Sequence, residues 1–231
     1  MENSVYINGV KTFAFESREN LLDFIEEKKT ILIAINTEKI LKEDPILKQI
    51  INKNIGYSDG VGSVMALKQK GFYAVKIPGA ELWLDIIKKF HNEKTFYLLG
   101  SSQDIIDKTV MKLEKEYPNI NILGYRNGFL EEGDKENLIK ELKNKKPDVV
   151  FVAQGSPRQE KFMNELIKEY PALYMGLGGS FDVYTGLKKR APKLFLNLNL
   201  EWMYRLLKEP TRFGRQLVII KFLYLFTSKK L

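Results

Sequence analysis

Asp59 is a candidate for proton transfer. It lies in the segment Tyr57-Ser58-Asp59-Gly60, directly before residues 61–70, which have helical spacing. A transfer that inverts a reacting carbon requires a carboxylate able to accept the proton of the attacking hydroxyl group. The same residue can cap the helix that follows, and for an isolated Asp-Gly this is the more common use. From these residues alone a helix cap is therefore the favoured interpretation of Asp59, and a general base is the alternative.

A second polar segment, Gln154-Gly155-Ser156-Pro157-Arg158-Gln159-Glu160, follows an apolar run and places proline near the first turn of a helix. One interpretation is a helix start in which Ser156 is the N-cap and Gln159 completes a capping box. In the other, free backbone N–H groups and the Gln159 amide hold a nucleotide sugar. The two interpretations are compatible with each other.

The glycine-rich segment Gly176-Leu177-Gly178-Gly179-Ser180 also follows an apolar run. Residues without bulk let backbone N–H groups approach an anion, so Gly178 and Gly179 are candidates for binding a diphosphate. The dinucleotide fingerprint G-x-G-x-x-G is absent, because Phe181 stands where the pattern needs its last glycine, and Walker A is absent too. A tight turn between a strand and a helix remains the alternative.

The composition excludes several kinds of site. The chain has no cysteine, which removes disulfides, thiolate nucleophiles and Cys-based metal sites. Its single histidine, His91, stands at the predicted C-terminal end of a helix, a common structural position, and one histidine cannot form a zinc site. Because no Asp-x-Asp motif is evident either, we expect a reaction without a metal ion or other cofactor.

Short apolar runs alternate with segments of helical spacing along the chain. This alternation predicts an α/β fold of Rossmann-like type, a parallel sheet with helices on both faces. The predicted strands cover residues 30–35, 73–77, 95–99, 120–123, 148–153 and 172–175, and the predicted helices cover 61–70, 81–90, 105–117, 136–143 and 159–170.

Small and polar residues are concentrated where the predicted strands end. The loops in question are Asn36-Thr37, Ser58-Asp59-Gly60, Gly100-Ser101-Ser102, Gln154-Gly155-Ser156 and the glycine-rich segment at 176–180. In an open parallel sheet the carboxyl ends of the strands form the crevice that binds ligands. We therefore expect these loops, Gly100 and Gly155 included, to form one site.

The positive charge of the chain is concentrated near its C-terminus. Residues 186–231 contain eleven Lys and Arg and two Glu, a net charge of +9, whereas the whole chain has +8, which leaves −1 for the first 185 residues. We expect a Rossmann-like domain over residues 1–187 and a basic helical C-terminal appendage over 188–231, with two helices broken at Pro210.

Basic and aromatic residues interleave in this appendage. Such a pattern favours a peripheral contact with an anionic membrane surface. A solvated basic face is one alternative, and nucleic acid is another, although no nucleic-acid-binding motif accompanies the charge. Residues 217–226 are apolar but too short to span a bilayer. The N-terminus lacks the pattern of a signal peptide, so we expect the protein on the cytoplasmic side, at the inner face of the cell membrane.

The chain resembles the WecG/TagA/CpsF family of bacterial glycosyltransferases over nearly its whole length. The order and spacing of the shared segments are specific, although each is weak alone. They are Ala34-Ile35-Asn36-Thr37-Glu38-Lys39-Ile40-Leu41, Ser58-Asp59-Gly60, Pro78-Gly79-Ala80-Glu81-Leu82-Trp83, Gly155-Ser156-Pro157-Arg158-Gln159-Glu160, Gly178-Gly179-Ser180-Phe181-Asp182-Val183, Lys189-Arg190-Ala191-Pro192-Lys193 and Leu200-Glu201-Trp202-Met203-Tyr204-Arg205-Leu206-Leu207.

The resemblance implies an inverting transfer of N-acetylmannosamine, or its uronic acid, from a UDP donor to N-acetylglucosamine on undecaprenyl diphosphate. It makes Asp59 the base and places Asn36 and Gln159 in the active site. Four arginines match the basic C-terminal portion that meets the lipid diphosphate in the family: Arg190, Arg205, Arg212 and Arg215.

Two positions differ from the teichoic-acid branch of the family, which has Thr and Arg where this chain has Ala34 and Lys76. The chain looks most like the enterobacterial-common-antigen branch, whose donor carries N-acetylmannosaminuronic acid. Lys76, or an arginine of the appendage, is a candidate contact for that uronate. Two other functions stay open, a nicotinamide-dependent oxidoreductase and a noncatalytic module that binds membranes or nucleic acid. The oligomeric state is open as well, a homo-oligomer included.

Overall fold

The computed structural model describes residues 3–192, 194–195, 203–204 and 214–231, with the backbone alone at 214–216. The strands are β1 (Ser4–Ile7), β2 (Val10–Phe13), β3 (Ile31–Ile35), β4 (Ile55–Ser58), β5 (Thr95–Gly100), β6 (Asn121–Arg126), β7 (Val149–Ala153) and β8 (Leu173–Gly176). The helices are α1 (Arg18–Ile25), α2 (Thr37–Leu41), α3 (Pro45–Asn52), α4 (Val61–Gln69), α5 (Gly79–Phe90), α6 (Gln103–Glu116), α7 (Asp134–Lys145), α8 (Arg158–Glu169), α9 (Ser180–Tyr184) and α10 (Gly214–Thr227).

The eight strands form one sheet in the order β1-β2-β4-β3-β8-β7-β5-β6. Every neighbouring pair is parallel except β1 and β2, which form an antiparallel hairpin. Its turn consists of Asn8 and Gly9, both with positive φ, as a tight hairpin turn requires. The predicted α/β class is confirmed, and the hairpin adds an antiparallel edge to the parallel sheet.

Two apolar cores cover the two faces of the sheet, because successive side chains of a strand point to opposite sides. On β7, Phe151 packs into one core, where it contacts Trp83, and Val150 and Val152 pack into the other. The central strands are therefore buried on both faces, as in most parallel sheets. This burial explains why their sequences are continuous apolar runs.

The strands predicted at 30–35, 95–99, 120–123, 148–153 and 172–175 are confirmed as β3, β5, β6, β7 and β8. The strand predicted at 73–77 is wrong. This segment makes isolated bonds instead: the Val75 N–H donates to the Phe15 carbonyl and the Ile77 N–H to the Ser58 carbonyl, both across the end of the sheet. Ala74 and Ile77 are buried because they pack into the two cores and not because the segment joins a strand ladder, and Tyr73 is exposed.

Helix α10 packs against the body of the protein. Phe222 is 2% exposed and belongs to the core on the α2 side of the sheet. The Gln69 side chain of α4 donates a 2.7 Å hydrogen bond to the Phe226 carbonyl. The Lys221 ammonium of α10 lies 3.5 Å from the Glu43 carboxylate. The C-terminal helix thus joins the Rossmann-like domain through its buried face.

The connections that follow the neighbouring strands β5 and β7 run in opposite directions across the sheet. The chain passes from β5 outward to β6 at the edge, whereas it passes from β7 inward to β8. A crevice opens between strand ends where connections diverge in this way, and ligands of open α/β sheets bind there. The fold therefore predicts a binding site at the carboxyl ends of β5 and β7.

Candidate active site

A cavity of about 280 Å³ occupies this switch point. Its lining includes Ser101, Gly128, Phe129, Gln154, Gly155, Arg158, Gly178, Gly179 and Asp182. Three of the predicted binding residues, Gly155, Gly178 and Gly179, therefore meet in one place. Gly100 precedes the lining residue Ser101 and has a φ of 137°. A Cβ atom there would lie 2.4 Å from the Ala153 carbonyl, so only glycine lets β5 and β7 approach this closely.

The Gln159 side chain links the two glycine loops of the cavity. Its Oε1 accepts hydrogen bonds from the Gly155 N–H at 3.1 Å and from the Gly178 N–H at 2.9 Å. Gln159 is 4% exposed, and Gly176 leaves room for it, since a Cβ at Gly176 would lie 2.4 Å from Gln159 Nε2. Gln159 thereby holds the loops after β7 and β8 in a fixed relation.

The predicted capping box at this helix is wrong. Helix α8 begins at Arg158, its N-cap residue is Pro157, and no side chain caps it. Gln159 bonds to Gly155 and Gly178 instead because β7 and β8 are neighbours, so both loops come within reach of one amide. Ser156 is exposed beside the cavity.

Asp59 does cap a helix, but not the predicted one. The N-cap of α4 is Gly60, with no side-chain bond, whereas Asp59 Oδ1 accepts a 2.7 Å hydrogen bond from the Gly79 N–H, at the first residue of α5. The Asp59 N–H donates to the Ile35 carbonyl of β3 at 3.0 Å. Both bonds fix the carboxylate at the carboxyl end of the sheet, beside β3.

Asn36 lies next to Asp59 because β3 and β4 are paired up to Ile35 and Ser58. A Cβ on Gly60 would lie 3.6 Å from Asn36 Cβ. Asn36 is the N-cap of α2, and its Oδ1 accepts a hydrogen bond from the Lys39 N–H at 3.0 Å. The structure thus brings together two of the three residues predicted to be catalytic.

A buried group of ionisable residues lies beneath this pair. Lys39 Nζ contacts Glu160 Oε1 at 2.8 Å, with side chains 8% and 1% exposed. The Tyr57 hydroxyl is fully buried and has no hydrogen-bond partner within the described part of the chain. Burial raises the pKa of Tyr57 well above its ordinary value, and the nearby charges of Asp59 and Glu160 raise it further. Tyr57 is therefore neutral at physiological pH.

Arg190 reaches the first turn of α5. Its Nη2 lies 2.5 Å from Glu81 Oε1, and Arg18 pairs with the other oxygen of the same carboxylate. Burial acts to raise the pKa of Glu81, but the hydrogen bonds and charges of Arg18 and Arg190 outweigh it and lower the pKa. Arg190 is thereby held at the helix whose N-terminus Asp59 caps.

Lys76 lies between two residues that are tied to the end of β4. The Ser58 hydroxyl donates to the Val75 carbonyl at 2.7 Å, and the Ile77 N–H donates to the Ser58 carbonyl at 2.8 Å. Lys76 is therefore next to the Asp59 loop. Of the remaining predicted cations, Arg205 and Arg212 lie outside the described residues, and Arg215 lies in α10, where only its backbone is described.

Several lining residues of the cavity were not singled out from the sequence. Phe129 is 73% exposed, and Asp182 Oδ1 accepts a 2.9 Å hydrogen bond from the Ser101 hydroxyl. Lys188 contacts the other Asp182 oxygen at 3.1 Å. The turn Asn127-Gly128 directly after β6 was the available signal for Phe129, and the family segment at 178–183 contains Asp182.

Neither a metal cluster nor a membrane span is found in the described part of the chain. No three His, Cys, Asp or Glu residues are grouped there so that they could hold a metal ion. Among the same residues, no helix combines the length and the apolar character needed to cross a membrane. Metal independence remains a prediction.

One comparison with known protein families covers nearly the whole chain. The model of the Glycosyl transferase WecG/TagA/CpsF family matches residues 5–231, nearly the whole chain. The match covers the Asp59 and Asn36 loops, the glycine loops and the C-terminal helix, and it gives no support to an oxidoreductase or a noncatalytic module. The chain therefore belongs to the WecG/TagA/CpsF family of glycosyltransferases, which use a nucleotide-sugar donor and a lipid-linked acceptor to build cell-surface polysaccharides.

Proposed function

We propose that the protein transfers N-acetylmannosaminuronic acid, or N-acetylmannosamine, from UDP to N-acetylglucosamine on undecaprenyl diphosphate, with inversion. The observation that carries this proposal is the arrangement at the carboxyl edge of the sheet. Asp59 and Asn36 lie together at the ends of β4 and β3. The cavity lies on the other side of β8, at the ends of β7 and β5. The proposed base and the proposed donor pocket thus both lie at the carboxyl ends of the strands.

The lining of the cavity supports a nucleotide diphosphate, such as the UDP part of the donor, as its ligand. Phe129 exposes its ring at the cavity, where an aromatic face can stack on a base. Gly155, Gly178 and Gly179 let the backbone approach a diphosphate closely, and the exposed Arg158 adds a positive charge. These features support UDP as the nucleotide, with its diphosphate directed toward β8.

In the proposed reaction Asp59 accepts the proton of the acceptor 4-hydroxyl group. The hydroxyl oxygen forms a bond to the anomeric carbon of the donor sugar, while the bond from that carbon to the β-phosphate oxygen breaks and UDP leaves. The charge that develops on UDP requires hydrogen-bond donors or cations. The N–H groups of Gly155 and Gly178 donate to Gln159. We therefore propose that other backbone N–H groups of the glycine loops supply them, together with the arginines Arg190, Arg205, Arg212 and Arg215 and without a metal ion.

The lipid-linked acceptor requires the site to face a membrane. Helix α10 exposes Leu217, Ile220 and Tyr224, at 60%, 64% and 63%, on the side away from its buried Phe222. Lys229 and Lys230 follow directly. An apolar helix face beside cations is suited to the surface of an anionic membrane, which supports a peripheral position at the inner face of the cell membrane.

The donor is proposed to be the uronic acid form. Lys76 lies beside the Asp59 loop, where a cation can meet the carboxylate of the sugar. Ala34 stands two residues before Asn36, near the end of β3, and its methyl group cannot make the hydrogen bond of a hydroxyl. Both residues set this chain apart from the teichoic-acid branch, which favours the branch of enterobacterial common antigen.

The test is transfer to N-acetylglucosamine-diphosphate-lipid from each of the two UDP donors, with EDTA present, monitored by UDP release and product mass. Acceptor-dependent transfer of the uronic acid is expected. Transfer of N-acetylmannosamine alone would overturn the donor assignment. If a folded protein transferred neither sugar, the proposed substrates would be wrong, and a requirement for added metal would overturn the metal-independent mechanism.

A further inference from the structure

A buried ion pair joins the two halves of the candidate active site. Lys39 of α2 and Glu160 of α8 meet at 2.8 Å, and their side chains are 8% and 1% exposed. Lys39 Nζ also donates to the Ala34 carbonyl of β3 at 3.0 Å. The pair therefore fastens α8 to the end of β3, across the position of β8.

Each partner of the pair adjoins a residue of the site. On one side the Lys39 N–H donates to Asn36 Oδ1, so Lys39 holds Asn36 through its backbone and β3 through its side chain. On the other side Glu160 follows Gln159, whose Nε2 lies 3.5 Å from Glu160 Oε1 and whose Oε1 holds Gly155 and Gly178. One chain of polar contacts thus runs from the glycine loops to Asn36.

Stability alone does not explain this pair. Two charges removed from water carry a large desolvation cost. A protein with apolar residues of similar volume in their place is often as stable or more stable. Glu160 Oε2 adds to that cost, because it is buried and has no hydrogen-bond partner among the described residues. A role in the neighbouring site would explain why the protein contains this costly pair.

We propose that Lys39 and Glu160 are positioning residues that set the distance between the Asp59–Asn36 loops and the glycine loops. The inference rests on the proposed function. If the base stands on one loop pair and the donor diphosphate on the other, this distance determines how closely the acceptor hydroxyl approaches the anomeric carbon. Small misplacements of reacting groups lower turnover strongly while substrate binding is largely retained.

The decisive variant is the double substitution Lys39→Met with Glu160→Gln, which removes both charges and keeps side-chain volume. We expect this variant to fold, because it leaves no unpaired charge in the interior. We also expect kcat to fall about 10- to 100-fold, with the donor KM changed less than about threefold. A merely structural pair would leave kcat unchanged once stability is restored.

A matched control is the double substitution Lys143→Met with Glu169→Gln. That pair lies 2.8 Å apart and joins α7 to the far end of the same helix α8. It should leave kcat unchanged. A second variant, Glu160→Asp, keeps the charge but shortens the side chain by one methylene group. It should also lower kcat at nearly constant donor KM, and it decides the matter if the double variant does not fold.

Wild-type kcat in the folded double variant, or in Glu160→Asp, would overturn the positioning role. These outcomes are distinct from failure of the proposed function, in which the wild-type protein itself transfers neither sugar.

Discussion

At the scale of single residues, the site combines groups whose orientation is set by backbone bonds. Asp59 is oriented by the Gly79 N–H, Asn36 by the Lys39 N–H, and Gln159 by two glycine N–H groups. In each side chain the oxygen that accepts this bond is occupied, and Gln159 Nε2 also lies 3.5 Å from Glu160 Oε1. The chemistry proposed for them must therefore use their other atoms, and substitutions have to preserve the structural bond to be informative.

The substitution Asp59→Asn satisfies that condition, because the amide oxygen can still accept the Gly79 N–H. We expect kcat to fall about 10²- to 10⁴-fold, the typical contribution of general acid–base catalysis, with unchanged affinity for UDP measured by calorimetry. Asp44→Asn is a matched control, since Asp44 caps α3 through the Leu47 N–H at 2.9 Å. Near-normal turnover of Asp59→Asn would show that another group is the base.

The substitution Glu81→Gln tests the anchoring of Arg190. The pKa of Glu81 is lowered in the folded protein, since its two arginine partners outweigh the opposing effect of burial. The contribution of Glu81 to stability is therefore fully present above the ordinary carboxyl pKa of 4.5. It is lost as the pH falls through the lower pKa of Glu81 in the folded protein. We expect Glu81→Gln to unfold at lower urea concentration than the wild type at pH 7, with the difference shrinking below about pH 4.5.

The exposed Glu114→Gln in α6 serves as its control and should track the wild type at every pH. A Glu81→Gln variant as stable as the wild type at pH 7 would argue against the ion pairs with Arg18 and Arg190.

At the scale of elements, α10 depends on a glycine in α4. A Cβ on Gly62 would lie 2.4 Å from Thr37 Oγ1 and 3.4 Å from the Phe222 ring. The absence of a side chain at Gly62 therefore lets α2, α4 and α10 meet. Because α2 carries the cap residue Asn36, the C-terminal helix packs directly behind one half of the site.

Phe222→Ala should lower the free energy of unfolding by about 3 kcal/mol, because it removes a buried aromatic ring and leaves a cavity. Tyr224→Ala, on the exposed face of the same helix, should change it by less than about 0.5 kcal/mol. Urea unfolding of both variants provides the measurement. Equal effects of the two substitutions would mean that α10 does not pack on the body in solution.

At the scale of the whole molecule, the charge distribution sets the orientation proposed at a membrane. The net charge of +9 over residues 186–231 contrasts with −1 over the rest. Anionic lipid attracts each nearby Lys or Arg by about 1 kcal/mol. The C-terminal side should therefore turn toward an anionic surface.

Replacing Lys229 and Lys230 by Gln should weaken binding to vesicles that contain anionic lipid by about 2 kcal/mol, or roughly 30-fold. Co-sedimentation at low salt measures this, and the difference should shrink at high salt because of screening. Lys143→Gln with Lys145→Gln removes the same charge from α7 and should have little effect. Equal losses in the two double variants would indicate attraction by net charge alone.

The sequence by itself determined the α/β class, five of the strands and the charge asymmetry, because periodicity and composition are local properties. The shared segments also determined the family, which the match over residues 5–231 confirms. Strands β1, β2 and β4 could not be predicted, because four residues interrupted by polar residues or glycine give no clear period. Strand β8 is as short, but it lies in the unbroken apolar run at 172–175. In β4, Gly56 weakens the apolar pattern further. The structure requires glycine there, because a Cβ atom would lie 2.7 Å from the Lys11 carbonyl oxygen.

Only the tertiary structure decided which groups meet. Asp59 caps a helix that begins 20 residues later, and Gln159 accepts a hydrogen bond from Gly178, 19 residues away. Lys39 forms an ion pair with Glu160 on a different helix. These contacts follow from the strand order, which places β4, β3, β8 and β7 side by side. Strand order depends on how the crossovers pack over the whole sheet, and no local sequence pattern records it.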